Sequence, residues 1–179
     1  MGRSVRPRTI VAIGLAAVLL TAGALVYLTP GPPTAGTVRI LVRDDPTGWL
    51  HVNVTFGEVD IHPGTDTNDS DWISLPINAG SIDFVELGNL TKLLALERVA
   101  PGNYTQIRIL VVIVSGVTSA GMHVNMTIPD QGVLKTTATF VLSPGGTTSI
   151  TLDLDLGNSI HSVGGEWIFK PVLGSIEIA

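Results

Sequence analysis

The sequence predicts an all-β domain built as two packed antiparallel sheets, a β-sandwich, preceded by one N-terminal transmembrane helix. Three observations carry that prediction. A run of 20 uncharged residues at 9–28 follows three arginines. Beyond it, apolar and polar residues alternate with period two to the C-terminus. Short Gly, Pro, Asn and Asp clusters punctuate that alternation, and no amphipathic helix of useful length lies between them.

The 179 residues have room for one ordinary domain and a short extension, not for two independent cores. Residues 1–8 form a basic segment placed in the cytoplasm. Residues 9–28 read TIVAIGLAAVLLTAGALVYL, long enough as a helix to cross a hydrocarbon core of about 30 Å. Cleavable signals carry shorter apolar cores, although Ala22-Gly23-Ala24 does offer a small-residue cleavage pattern, so the run is read as a retained signal anchor. Arg3, Arg6 and Arg8 precede it and no basic residue immediately follows, which puts the remainder on the extracytoplasmic side of the cell membrane in a single-pass topology. Residues 29–36, TPGPPTAG, suit a semi-extended Pro/Gly linker, and residues 37–179 form the exported domain.

Within that domain the clearest strand is 50–56, where Leu50, Val52, Val54 and Phe56 alternate with His51, Asn53 and Thr55. Gly57 breaks the phase and Val59 and Ile61 resume it, the pattern of a bulge. Further strands are expected at 38–43, 72–75, 81–85, 93–98, 104–115, 122–128, 135–142, 148–156 and 167–178. Residues 87–96 fit either one helical turn or a loop followed by a strand. The unbroken apolar run at 107–114 predicts a central strand buried on both faces.

Charge and composition exclude several functions. Of ten basic residues three precede the apolar run, leaving seven against fifteen acidic ones, a net of -8 after Leu28. Such a surface repels phosphate backbones and argues against nucleic acid. With no cysteine the chain has no disulfide, thiolate metal site, cysteine nucleophile or lipidated cysteine. Nucleophile-elbow, H-E-x-x-H and phosphate-cradling glycine patterns are missing, so no enzyme is expected.

Five of the seven asparagines, Asn53, Asn68, Asn89, Asn103 and Asn125, stand in Asn-X-Ser/Thr, more than chance spacing of Ser and Thr supplies. They are candidate glycan acceptors and support an outside address. Asp153 and Asp155, two apart on a strand, project from one wet face, and Asp44 with Asp45 would complete an oxygen cage for Ca2+ if the fold joins them. The competing expectation is that these carboxylates accept backbone N–H groups or pair with Arg39, Arg43 or Arg108. A second acidic loop, with Asp66, Asn68 and Asp71, partly matches a calcium loop but lacks its turn glycine and closing glutamate. His51, His62, His123 and His161 show no local metal-ligand spacing, and the pairing weighed is His51 with His62 across the bulge. Tyr104, Gln106 and Arg108 alternate as a satisfied polar ladder, and Trp49, Trp72 and Trp167 are expected in core or rim packing.

Several segments in order, Arg43-Asp44-Asp45-Pro46, Val54 to His62, Ser81 to Leu87, Ala100 to Arg108, Leu152 to Asp155 and Phe169-Lys170-Pro171-Val172, resemble the domain of unknown function 4382 family. That resemblance implies an exported prealbumin- or immunoglobulin-like sandwich at the cell surface, with no established activity and no catalytic residues to carry over. Many bacterial relatives look like lipoproteins, whereas this chain lacks the cysteine and relies on its apolar helix. The expected role is a non-enzymatic structural or interaction module, its partners the membrane and envelope proteins or glycans. The alternatives are a calcium-stabilised binding module and a filament subunit assembled by strand addition.

Overall fold

A computed structural model describes residues 34–44, 46–64 and 71–179. The predicted anchor at 9–28, most of the linker, and Asp45, Asp66 and Asn68 lie outside the described residues. Among the described residues no helix is long and apolar enough to cross a membrane.

Two main sheets share one hydrophobic core. The first holds four strands in the order β12-β9-β1-β5, with β1 at Gly36–Arg43, β5 at Lys92–Val99, β9 at Thr147–Leu154 and β12 at Leu173–Ile178. The second has β2 (Trp49–Pro63) and β6 (Gly102–Thr118) at its centre. Beside β2 lie β3 (Ile73–Leu75) and β4 (Ser81–Asp83); beside β6 lie β7 (His123–Asn125) and β8 (Val133–Leu142). Strands β10 (Ile160–Val163) and β11 (Glu166–Phe169) form a separate hairpin.

The alternation read from the sequence explains why the sheets pack. Val38, Ile40 and Val42 of β1 and Ile150, Leu152 and Leu154 of β9 turn one way; Val52, Val54 and Phe56 of β2 and Ile107 and Ile109 of β6 meet them in the same cluster. Each such side chain contributes about 1.5–3 kcal/mol by leaving water. Truncating Ile40, which is fully buried, to alanine costs about 2–5 kcal/mol because the two sheets cannot close over the void.

The bulge expected at Gly57 is present: Phe56 faces Val111 and Glu58 faces Leu110, with Gly57 between them unpaired. A Cβ there would sit 2.7 Å from Val112 Cγ1, so the position suits glycine by close approach. Trp49–Pro63 therefore continues as one strand.

Other expectations need correction. The pairing is not wholly antiparallel, because β1 and β9 run parallel. The strand expected at 81–85 ends at Asp83, which caps a single helical turn, α1 (Phe84–Leu87), by accepting from Val85 N. The one expected at 167–178 splits into β11 and β12, and β10 has no counterpart among the expected strands. Residues 155–159 leave β9 for a second turn, α2 (Leu156–Ser159).

The apolar run at 107–114 is covered on one face only, since Val112 and Ile113 are 45% and 59% exposed. Tyr104 does not join a polar ladder. The pairing shifts between Tyr104 and Gln106, which turns Tyr104 into the core, stacked on Phe140 with ring centroids 5.1 Å apart. Its hydroxyl donates to Ala100 O at 2.7 Å, the geometry of a tyrosine corner. Burial pushes that phenol above its ordinary value.

Candidate functional site

The parallel register of β1 and β9 sets Arg43 beside Asp153. The Arg43 guanidinium donates to Glu177 Oε1 at 2.8 Å and to Asp153 Oδ2 at 3.4 Å. The bond to Glu177 raises the guanidinium above its ordinary value despite the opposing effect of desolvation. Asp44 Oδ2 accepts from Leu156 N at 2.8 Å. Asp155 caps α2, accepting from Asn158 Nδ2 at 2.7 Å and Asn158 N at 2.9 Å, and those bonds hold its carboxyl below the usual range. Asp44 and Asp153 thus line one shallow pocket with Arg43 and Asn89, while Asp155 serves its own helical turn. Asp71 is exposed ahead of β3.

Of the described sequons, Asn89, Asn103 and Asn125 are exposed, and Asn53 is half-buried on the outer face of β2. Asn53 and Asn125 flank Ser115 in one row across the second sheet.

At the far end of β2 a second polar group surrounds Trp72. Arg108 bonds the buried Asp60 carboxylate through Nε and Nη2, each at 2.9 Å, and its guanidinium lies 4.5 Å over the Trp72 ring. Lys135 Nζ stands 5.2 Å from that ring and the His62 ring meets its edge at 5.1 Å. Stacking of this kind clamps the rim of the sheet. Gln106 departs from the satisfied ladder, because its buried Oε1 has no hydrogen-bond partner among the described residues. Trp49 and Trp167 pack edge to face at 5.1 Å.

The outer face at the opposite end of β2 gathers donors that spacing along the chain did not disclose. Register places Asp83, Asn53, Ser115 and Asn125 in a single row across β4, β2, β6 and β7, and His51, Val117 and His123 in the next. All of these except Asp83 line a shallow open groove. His51 and His62 stand at opposite ends of β2, so they do not come together.

His51 instead meets Asp83, with Nδ1 2.6 Å from Oδ2. The other oxygen of Asp83 accepts from Val52 N at 3.2 Å and Val85 N at 3.1 Å. Burial raises the Asp83 carboxyl, but the bonds from His51 and from the backbone of Val52, Val85 and Glu86 outweigh it and hold the group below its ordinary value. Glu86, one turn on, brings a third donor, so that one ligand atom each from His51, Asp83 and Glu86 lies within 4.8 Å of the others. Asp83-Phe84-Val85-Glu86 has the spacing of a capping box, which is the local signal in the sequence for this group.

Residues 35–171 match the family model described as a domain of unknown function (DUF4382). No curated protein and no solved structure matches the chain.

Proposed function

The chain belongs to the domain of unknown function 4382 family, and from that premise we propose that it is a membrane-tethered, extracytoplasmic β-sandwich acting as a non-enzymatic structural or interaction module. The observation that carries this reading is the outer face of the second sheet. A row of Asp83, Asn53, Ser115 and Asn125 spans four strands beside His51 and His123, and all of these but Asp83 line one shallow groove. A sheet face that carries polar side chains from four strands offers the broad area that a partner's surface contacts. The tether comes from the sequence: 20 uncharged residues at 9–28 behind three arginines, whose transfer into lipid is favourable.

Glycans on Asn89 and Asn103 would leave this face open, whereas glycans on Asn53 or Asn125 would cover it. Within the sandwich class we favour a prealbumin-like arrangement. Immunoglobulin constant-type domains hold their first two strands in one sheet, and here β1 and β2 belong to different sheets.

Fractionation of native cells with protease treatment of the intact cells tests the location. The expected result is full-length chain in the membrane fraction, with its C-terminal domain cut from outside. Intact chain in the cytosol would contradict the reading. Cross-linking at the groove should then recover envelope components, and its failure would count against the interaction role.

A further inference from the structure

We propose that His51, Asp83 and Glu86 form a binding site for a divalent transition metal of the zinc class on the outer face of the second sheet. The inference is independent of the tether and of the partner role.

The donor set and its support carry it. One imidazole nitrogen and two carboxylates suit a borderline ion such as Zn2+, whereas Ca2+ favours an all-oxygen shell of six to eight ligands. Ligands about 2.0–2.2 Å from a tetrahedral zinc lie about 3.3–3.6 Å from one another. His51 Nδ1 and Asp83 Oδ2 are 2.6 Å apart and all three donors lie within 4.8 Å, so small side-chain rotations suffice.

Asp83 is already oriented as a single-oxygen ligand. Val52 N and Val85 N hold its Oδ1 and leave Oδ2 facing His51, the outer-shell support that fixes a metal-binding carboxylate. His51 comes from β2, paired along its length with β6, so the imidazole rides on the rigid part of the sheet.

A plain histidine–aspartate pair with a capping box accounts for part of this arrangement. It does not account for Glu86, whose carboxylate makes no hydrogen bond or ion pair to another described residue although it faces the pair. Two carboxylates beside one imidazole leave an excess of negative charge that a dication neutralises. With His51 45% exposed, a fourth position remains open to water or to a partner's side chain.

The test uses the purified full chain in detergent, stripped with chelator and titrated with Zn2+ by calorimetry, with NMR of the histidine ring protons. The expected result is one Zn2+ per chain, with the His51 resonances moving and those of His123 and His161 unchanged. His51→Gln and Glu86→Gln should each weaken binding by at least about 10-fold, the lower end of what loss of a metal's supporting group costs. His51 is half-buried and Glu86 exposed, and thermal melting confirms that each variant is folded. His123→Gln should bind as the parent does. Absence of saturable binding, or parental affinity in His51→Gln, would overturn the proposal.

Discussion

Two carboxylate groups of this domain invite comparison, one at the end of the four-stranded sheet and one on the outer face of the other. In the first, Asp44, Asp153 and Asp155 are each engaged by protein donors: the Leu156 backbone, the Arg43 guanidinium and Asn158. In the second, Asp83 is held by two backbone groups on one oxygen and by His51 on the other, and the Glu86 carboxylate beside them has no partner among the described residues. Asp153 and Asp155, two apart in sequence, and Asp44, brought to them by the pairing of β1 with β9, formed the group whose carboxylates already hold protein donors. Residues 32 apart, His51 and Asp83, formed the one with a donor to spare. Proximity of acidic residues along a chain therefore measures local charge, whereas a site depends on which strands pair and what else the carboxylates already hold.

The largest effect that would break this contrast is at Asp83. Replacing it with alanine leaves Val52 N and Val85 N without their acceptor and uncaps α1, and should lower stability by about 2–3 kcal/mol in urea unfolding. A loss below about 0.5 kcal/mol would show that the carboxylate is not held as described.

Asp44→Ala should cost less, about 1–2 kcal/mol, because it removes the acceptor of Leu156 N and no helix cap. If it cost more than Asp83→Ala, the first group would be the better anchored of the two.

The acid limb tests the second group directly. Because the Asp83 carboxyl titrates below its ordinary value, which is about 3.9 in the unfolded chain, its stabilisation is fully present above that unfolded value and is lost as pH falls through the folded one. Asp83→Asn keeps an oxygen acceptor but does not ionise. Unfolding curves below about pH 4 should therefore fall less steeply in this variant than in the parent, and parallel curves would contradict the assignment.

The smallest change in stability is expected at Arg43. Arg43→Gln removes partly exposed ion pairs to Asp153 and Glu177 and should shift stability by about 0–1 kcal/mol. It sharpens the comparison because it also releases the carboxylates. Calcium should then raise the melting midpoint of the variant more than that of the parent, and equal responses would show that Arg43 is not what occupies this cluster.

Much of the sandwich was legible because burial on one face writes itself as alternation, as in Val52, Val54 and Phe56, and because Gly57 marks the place where Val112 leaves no room for a side chain. The run at 107–114 misled because composition records apolarity and not coverage: Val112 and Ile113 look like their buried neighbours yet face outward. The turn α1 was hidden because Ile82 and Phe84 continue the strand's alternation while Asp83 caps a helical turn. Tyr104 was misplaced by one bulged residue, which reverses the face of everything before it. The His51 group was out of reach for a different reason, since only the pairing of Asn53 with Asp83 brings it together. The spacing of Asp83 and Glu86 was the single local hint.

Thermal melting of the full chain in detergent, with Zn2+, with Ca2+ and with chelator, tests most directly whether the open donor set is the one on the outer face. An ion that binds only the folded state must raise the midpoint. The account predicts a rise with Zn2+ that His51→Gln abolishes, and a midpoint in Ca2+ that stays with the chelator control. A rise with Ca2+ and none with Zn2+ would reverse the roles of the two groups and contradict it.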